Sequence, residues 1–120
     1  MRLSLGDVDI GFAGRLGDGN PSLRAIADLK AGDPVGLAPE GARFALINRG
    51  GVVVGRLARK FRPPPGMTCV AGEVMAIVTR DAESSSEEFR GALRRETWEV
   101  VVPELVFAPE ALEGLPPPQA

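Results

Sequence analysis

Four cations fall within seven residues. Arg56, Arg59, Lys60 and Arg62 lie between the valine run Val52–Val54 and the three prolines Pro63–Pro65. A guanidinium presents a planar fork of donors that matches phosphate oxygens, and closely spaced cations concentrate positive potential. The chemistry this cluster can do is non-covalent: it can hold phosphates in a contact that weakens as salt rises. A solvated basic flank has the same composition, so placement decides between the two. Arg15 and Phe12 extend the candidate set. Phe12 sits beside Gly11 and near Gly14, and an exposed ring there would stack a base of a single strand.

The rest of the composition removes most other chemistry. The 120 residues include no histidine, no tyrosine and one cysteine, Cys69. Without histidine the chain lacks the commonest general base and transition-metal ligand, and a lone cysteine makes neither a Cys–His nucleophile pair nor a zinc site. No G-x-x-x-x-G-K-[ST] loop occurs. The GRLGDGN segment at 14–20 reads as a turn rather than a phosphate cradle. Asp81, Glu83, Glu87 and Glu88 lack the D-x-[DN]-x-[DN]-G pattern of a calcium loop. The expectation is a domain with no catalytic residues, no metal and no cofactor. Net charge is −2, but it is unevenly spread. Residues 43–72 carry six cations and no acid, while residues 81–120 carry nine acids and three arginines. A nearly neutral chain can therefore still present a basic patch.

These residues must be positioned by one compact unit, residues 1–108, with 109–120 a disordered tail. Residues 3–16 read as one or two strands. Asn20 as N-cap and Pro21 at the first helical position predict a helix over about 21–30. Strands follow at 34–38, 43–48 and 52–54. The latter two are joined by Asn48-Arg49-Gly50-Gly51, whose residue types tolerate positive φ. At 56–61 a helical turn sorts the charges best, with Arg56, Arg59 and Lys60 on one face and Leu57 and Phe61 on another. Pro63 ends it. Residues 67–79 read as a strand with a bulge at Gly72, and EEFRGALRR at 87–95 as a helix. The final strand covers 97–107, with Pro103 at an edge or break. The fold class is mainly β: a small, partly open β-barrel with two or three short helices. No run of 18 apolar residues spans a membrane, the start lacks a signal-peptide core, and a single cysteine fits the cytoplasm.

Two stretches carry a resemblance. RDAESSSEEFRGALRRETWEVVVPELVF resembles the C-terminal segment of bacterial RecQ-family ATP-dependent DNA helicases. AGDPVGLAPEGARFALINRGGVVVGRLARKFRPPPG looks like the segment before it, so the likeness covers roughly residues 20–108. The same middle block is similar to HIRAN domains, small β-barrels related in shape to OB folds. There the glycine–valine–glycine strand and basic start correspond to Gly51, Val52–Val54, Gly55 and Arg56–Lys60. The resemblance implies DNA as partner, single-stranded or at ends, and a helicase core in cis. It places the basic position on Arg59 or Lys60 and the first-strand aromatic on Phe12. The chain departs from that family in having no first-strand tyrosine and no Asn-Pro pattern in RFALIN. The alternative expectation is a protein-interaction or regulatory module that docks on a helicase core or another partner.

Overall fold

The computed structural model describes residues 1–84 and 91–110. Over these the chain is mainly β. Strands β1 (Gly36–Glu40), β2 (Arg43–Ile47) and β3 (Val53–Arg56) form an antiparallel sheet in that order. Strands β4 (Met67–Asp81) and β5 (Thr97–Pro109) form a long antiparallel ribbon. Helix α1 (Pro21–Ala27) and short 3-10 turns at Leu5–Asp7, Ala13–Arg15 and Ala82–Ser84 complete the described elements. Among the described residues the strands do not close into a barrel. No helix there is long and apolar enough to cross a membrane.

The β2–β3 hairpin forms where the valine run and the Asn-Arg-Gly-Gly turn predict it. Asn48 builds the turn with its own side chain. Its Oδ1 accepts from the amides of Gly50 (3.0 Å) and Val52 (2.9 Å), and Gly51 takes φ +82°, which a side chain would strain. Helix α1 starts as expected, with Asn20 Oδ1 accepting from the Ser22 amide at 2.9 Å and Pro21 at the first position. It ends at Ala27 rather than near residue 30. The chain beyond is drawn to β4: the Gly32 amide donates to the Val74 carbonyl at 2.8 Å.

Three expectations are corrected. Residues 3–16 form no strand. They contribute 3-10 turns and one isolated antiparallel bridge, Val8 to Leu57, beside that of the preceding Arg2 to Glu104, because Leu3, Val8, Phe12 and Ala13 are each buried separately in the shared core. The helical turn at 56–61 is also absent. β3 runs through Arg56, and the amides of Leu57 and Ala58 donate to the carbonyls of Phe44 (2.9 Å) and Asp7 (2.9 Å). Those distant carbonyls satisfy donors that a helix would have satisfied locally. Gly72 is no bulge either; the extra residues lie at Val70 and Met75. Gly72 instead permits a close approach, since a Cβ there would sit 2.8 Å from the Val35 carbonyl oxygen. Of the segment expected as a helix, 87–90 lies outside the described residues, and the described part, 91–95, is turn and irregular chain. Of the tail, 111–120 lies outside them, and Pro109 still belongs to β5.

Pro103 pairs opposite Val74 without interrupting β5. The free edge of β5 is covered there by the N-terminal residues, with the Leu3 amide donating to the Pro103 carbonyl at 3.1 Å. The core joins the two sheets. Leu46 and Val54 from the first, Val74 and Leu105 from the ribbon, and Leu57 are all at most 1% exposed, and Phe12, Ile26 and Trp98 belong to the same cluster. Full burial of each such aliphatic side chain contributes about 1.5–3 kcal/mol relative to leaving it in water.

Candidate functional site

Three distant parts of the chain meet at one end of this core. The N-terminal segment lies beside the end of β3, held by the Asp9 amide on the Arg56 carbonyl (2.8 Å) and the Ala58 amide on the Asp7 carbonyl (2.9 Å). That pairing brings Asp9 and Arg15 next to Arg43 at the start of β2. The far end of the ribbon closes the third side. Arg80 pairs opposite Trp98, and the Trp98 indole N–H donates to the Ile10 carbonyl at 2.6 Å. Between them is a cleft of about 720 Å³, twice the volume of the depression of about 360 Å³ between α1 and the 48–50 turn. Arg15, Arg43, Arg56, Arg59 and Arg80 line it, with Asp9 among them. Ile10, Leu93 and Trp98 form an apolar side.

The charges are arranged in two ion-paired groups, of which only the second is neutral, and a remainder. Asp9, 14% exposed, is paired with both Arg15 and Arg43. Arg43 also donates through Nη2 to the Leu57 carbonyl at 2.9 Å. Arg56 is ion-paired with Glu40 at 2.6 Å, and its guanidinium carbon lies 5.3 Å from the centroid of the Phe12 ring. That distance is within cation–π range. Arg59 and Arg80 have no ion pair among the described residues. Among the described residues, five guanidiniums thus meet two carboxylates in these pairs, an excess of three positive charges. Burial lowers the pKa of Arg43, and repulsion from Arg56, Arg59 and Arg15 adds to this against the opposing pull of Asp9. The Nε atoms of Arg43 and Arg56 are buried with no hydrogen-bond acceptor.

The structure divides the six candidate residues. Arg15, Arg56 and Arg59 share the cleft. Lys60 and Arg62 do not line it. Lys60 is exposed on the turn beside it, and Arg62 folds back so that Nη1 donates to the carbonyls of Arg59 (2.6 Å) and Phe61 (2.8 Å). The expected one-turn basic ledge is therefore replaced by a strand end and a tight turn. Phe12 is 8% exposed and lies under Arg56. Its ring belongs to the core and presents no free face for a base, contrary to the expectation of an exposed stacking ring. Leu57 and Phe61 are buried, as expected of the residues beneath the cations.

Asp9, Arg43 and Arg80 complete the cleft and stand outside the six candidates. Arg43 had a signal, since it opens the acid-free stretch that ends at Gly72. Arg80 needed only one more residue of strand after MTCVAGEVMAIVT to fall opposite Trp98. Asp9 had none: its partners are six and 34 positions away and are set by tertiary pairing. Among known proteins, no family model, curated protein or solved structure matches this chain.

Proposed function

We propose that this chain is a non-catalytic nucleic-acid-binding domain whose arginine cleft holds the phosphates of DNA, single-stranded or at ends. The observation that carries the reading is the convergence of five arginines from separate parts of the chain on one concave surface, with three positive charges in excess among the described residues. Guanidiniums are suited to phosphate oxygens, and the apolar side of Ile10 and Leu93 offers contact area to a sugar or base. The resemblance to RecQ-family C-terminal segments and HIRAN domains adds the rest of the proposal: an OB-like kinship, and a helicase core in cis as the partner.

The test is anisotropy of labelled single-stranded, double-stranded and 3′-overhang DNA, titrated at several salt concentrations. Binding is expected to fall steeply with salt. Arg59→Glu with Arg80→Glu is expected to weaken it by roughly tenfold or more, because the two cleft arginines with no ion pair among the described residues are reversed in charge. Undiminished binding by that double variant would remove the cleft from the proposal.

A second reading, a protein-interaction module, is favoured by a different observation. Val70 and Val106 are 57% and 52% exposed and lie across the ribbon from each other at the first bulge. It predicts that every oligonucleotide titration stays blank.

A further inference from the structure

The resting cleft already contains an anion, the Asp9 carboxylate. Its Oδ1 accepts from the Gly11 amide (3.2 Å) and from Arg15 Nη1 (3.2 Å). Its Oδ2 accepts from Arg15 Nη2 and from Arg43 Nη2, the latter at 3.5 Å. Both oxygens are fully engaged. Donors nevertheless remain around the cleft, on guanidiniums that Asp9 does not reach. Arg59 and Arg80 stand at the same cleft without a counter-ion among the described residues. Two carboxylate oxygens in one plane cannot serve this many forks. The tetrahedral oxygens of a phosphate chain reach donors above and below that plane.

We propose that Asp9 holds the place of a ligand phosphate. It is the resting counter-ion of Arg15 and Arg43, and a phosphate chain displaces it on entering. The proposal rests on the cleft being the anion site and names the residue that sets its affinity. Without a ligand Asp9 bridges the two guanidiniums and offsets their mutual repulsion. During binding it competes with the incoming charge, so a single weak anion does not dislodge it, whereas a polyanion that also engages Arg59 and Arg80 does. The 3.5 Å contact to Arg43 is the weaker of its two arginine contacts and the first to yield.

Asp9→Asn is the informative substitution, because an amide oxygen still accepts from Gly11 while the competing charge is gone. Two probes are used on the full chain: inorganic tripolyphosphate by calorimetry and a labelled single-stranded oligonucleotide by anisotropy. Both are expected to bind Asp9→Asn roughly fivefold tighter than the wild type, the scale of removing one unit charge from a partly exposed site. Equal or weaker binding by a folded variant overturns the proposal. Should the variant not fold, the wild-type chain gives the second measurement. On saturation with tripolyphosphate, the carboxyl ¹³C resonance of Asp9 and the Gly11 amide resonance are expected to shift together as the contacts open. If neither moves while tripolyphosphate binds, the proposal is overturned.

The two readings separate cleanly. Tripolyphosphate bound more tightly by Asp9→Asn, with no oligonucleotide binding, supports the displaced carboxylate and rejects nucleic acid. Oligonucleotide binding indifferent to Asp9→Asn does the reverse. If neither probe binds, both are rejected.

Discussion

Arg62 and Arg80 show how little a residue's type says about its task. Arg62 belongs to the densest cationic run, yet its guanidinium is turned onto the carbonyls of Arg59 and Phe61, where it clips the turn. Arg80 stands alone between Thr79 and Asp81 but lines the cleft. On the proposed function, Arg62→Gln is expected to change oligonucleotide affinity by about twofold at most. Arg80→Gln is expected to lower it by roughly five- to tenfold, as for loss of one phosphate contact. Anisotropy at fixed salt checks both. Arg56 and Arg59 were legible in the sequence as candidates because they lie in an acid-free stretch, and Arg15 because it follows Phe12 closely. Asp9 was not legible, since its meaning comes from guanidiniums 6 and 34 residues on. Cys69 is what its apolar strand suggests. It is half buried and donates from Sγ to the Ala71 carbonyl at 3.3 Å, and burial pushes its thiol pKa up. It is accordingly a poor nucleophile at neutral pH.

At the scale of elements, local signals succeeded where the chain satisfies its own backbone. The 48–51 turn carries its hydrogen bonds in Asn48, and the start of α1 carries them in Asn20. Where another segment supplies the partner, local pattern misleads. Residues 56–61 sort better on a helix, but carbonyls of Phe44 and Asp7 hold Leu57 and Ala58 extended. The same limit explains Gly72. A glycine inside a strand suggests a bulge or a close approach, and only the crossing of Val35, whose amide donates to the Gly72 carbonyl at 3.0 Å, decides between them. Gly72→Ala would drive a Cβ against the Val35 carbonyl oxygen and the Leu105 side chain, at 2.8 and 2.9 Å. Backbone cannot swing aside as a flexible side chain can. The expected loss is ~1–3 kcal/mol, the usual cost of overpacking, read as a lowered midpoint in denaturant with an unchanged slope.

For the whole molecule, two sheets that share no strand are held as one body by a shared core and by backbone hydrogen bonds from the approach to β1 onto β4. Leu46, Val54 and Leu57 pack in the same cluster as Val74, Val101 and Leu105, and the Trp98–Ile10 hydrogen bond ties the ribbon to the N-terminal segment. One core implies one transition. Leu57→Ala and Leu105→Ala, on opposite sides of that core, are each expected to lower a single melting transition by an amount equivalent to ~2–5 kcal/mol. Two separable transitions in either variant would mean that the sheets fold independently. The mainly β class was legible because β-branched runs and turn residues signal it locally; the way the sheets join was not, since Val8, Phe12 and Trp98 meet through long-range packing. That junction has an optical consequence. The sequence holds one tryptophan and no tyrosine, and this tryptophan, 5% exposed, is a wall of the arginine cleft. The intrinsic ultraviolet emission of the protein therefore comes from one indole at the place where sheet, ribbon and cleft come together. An unlabelled chain carries its own reporter there, sensitive both to what enters the cleft and to the parting of the sheets.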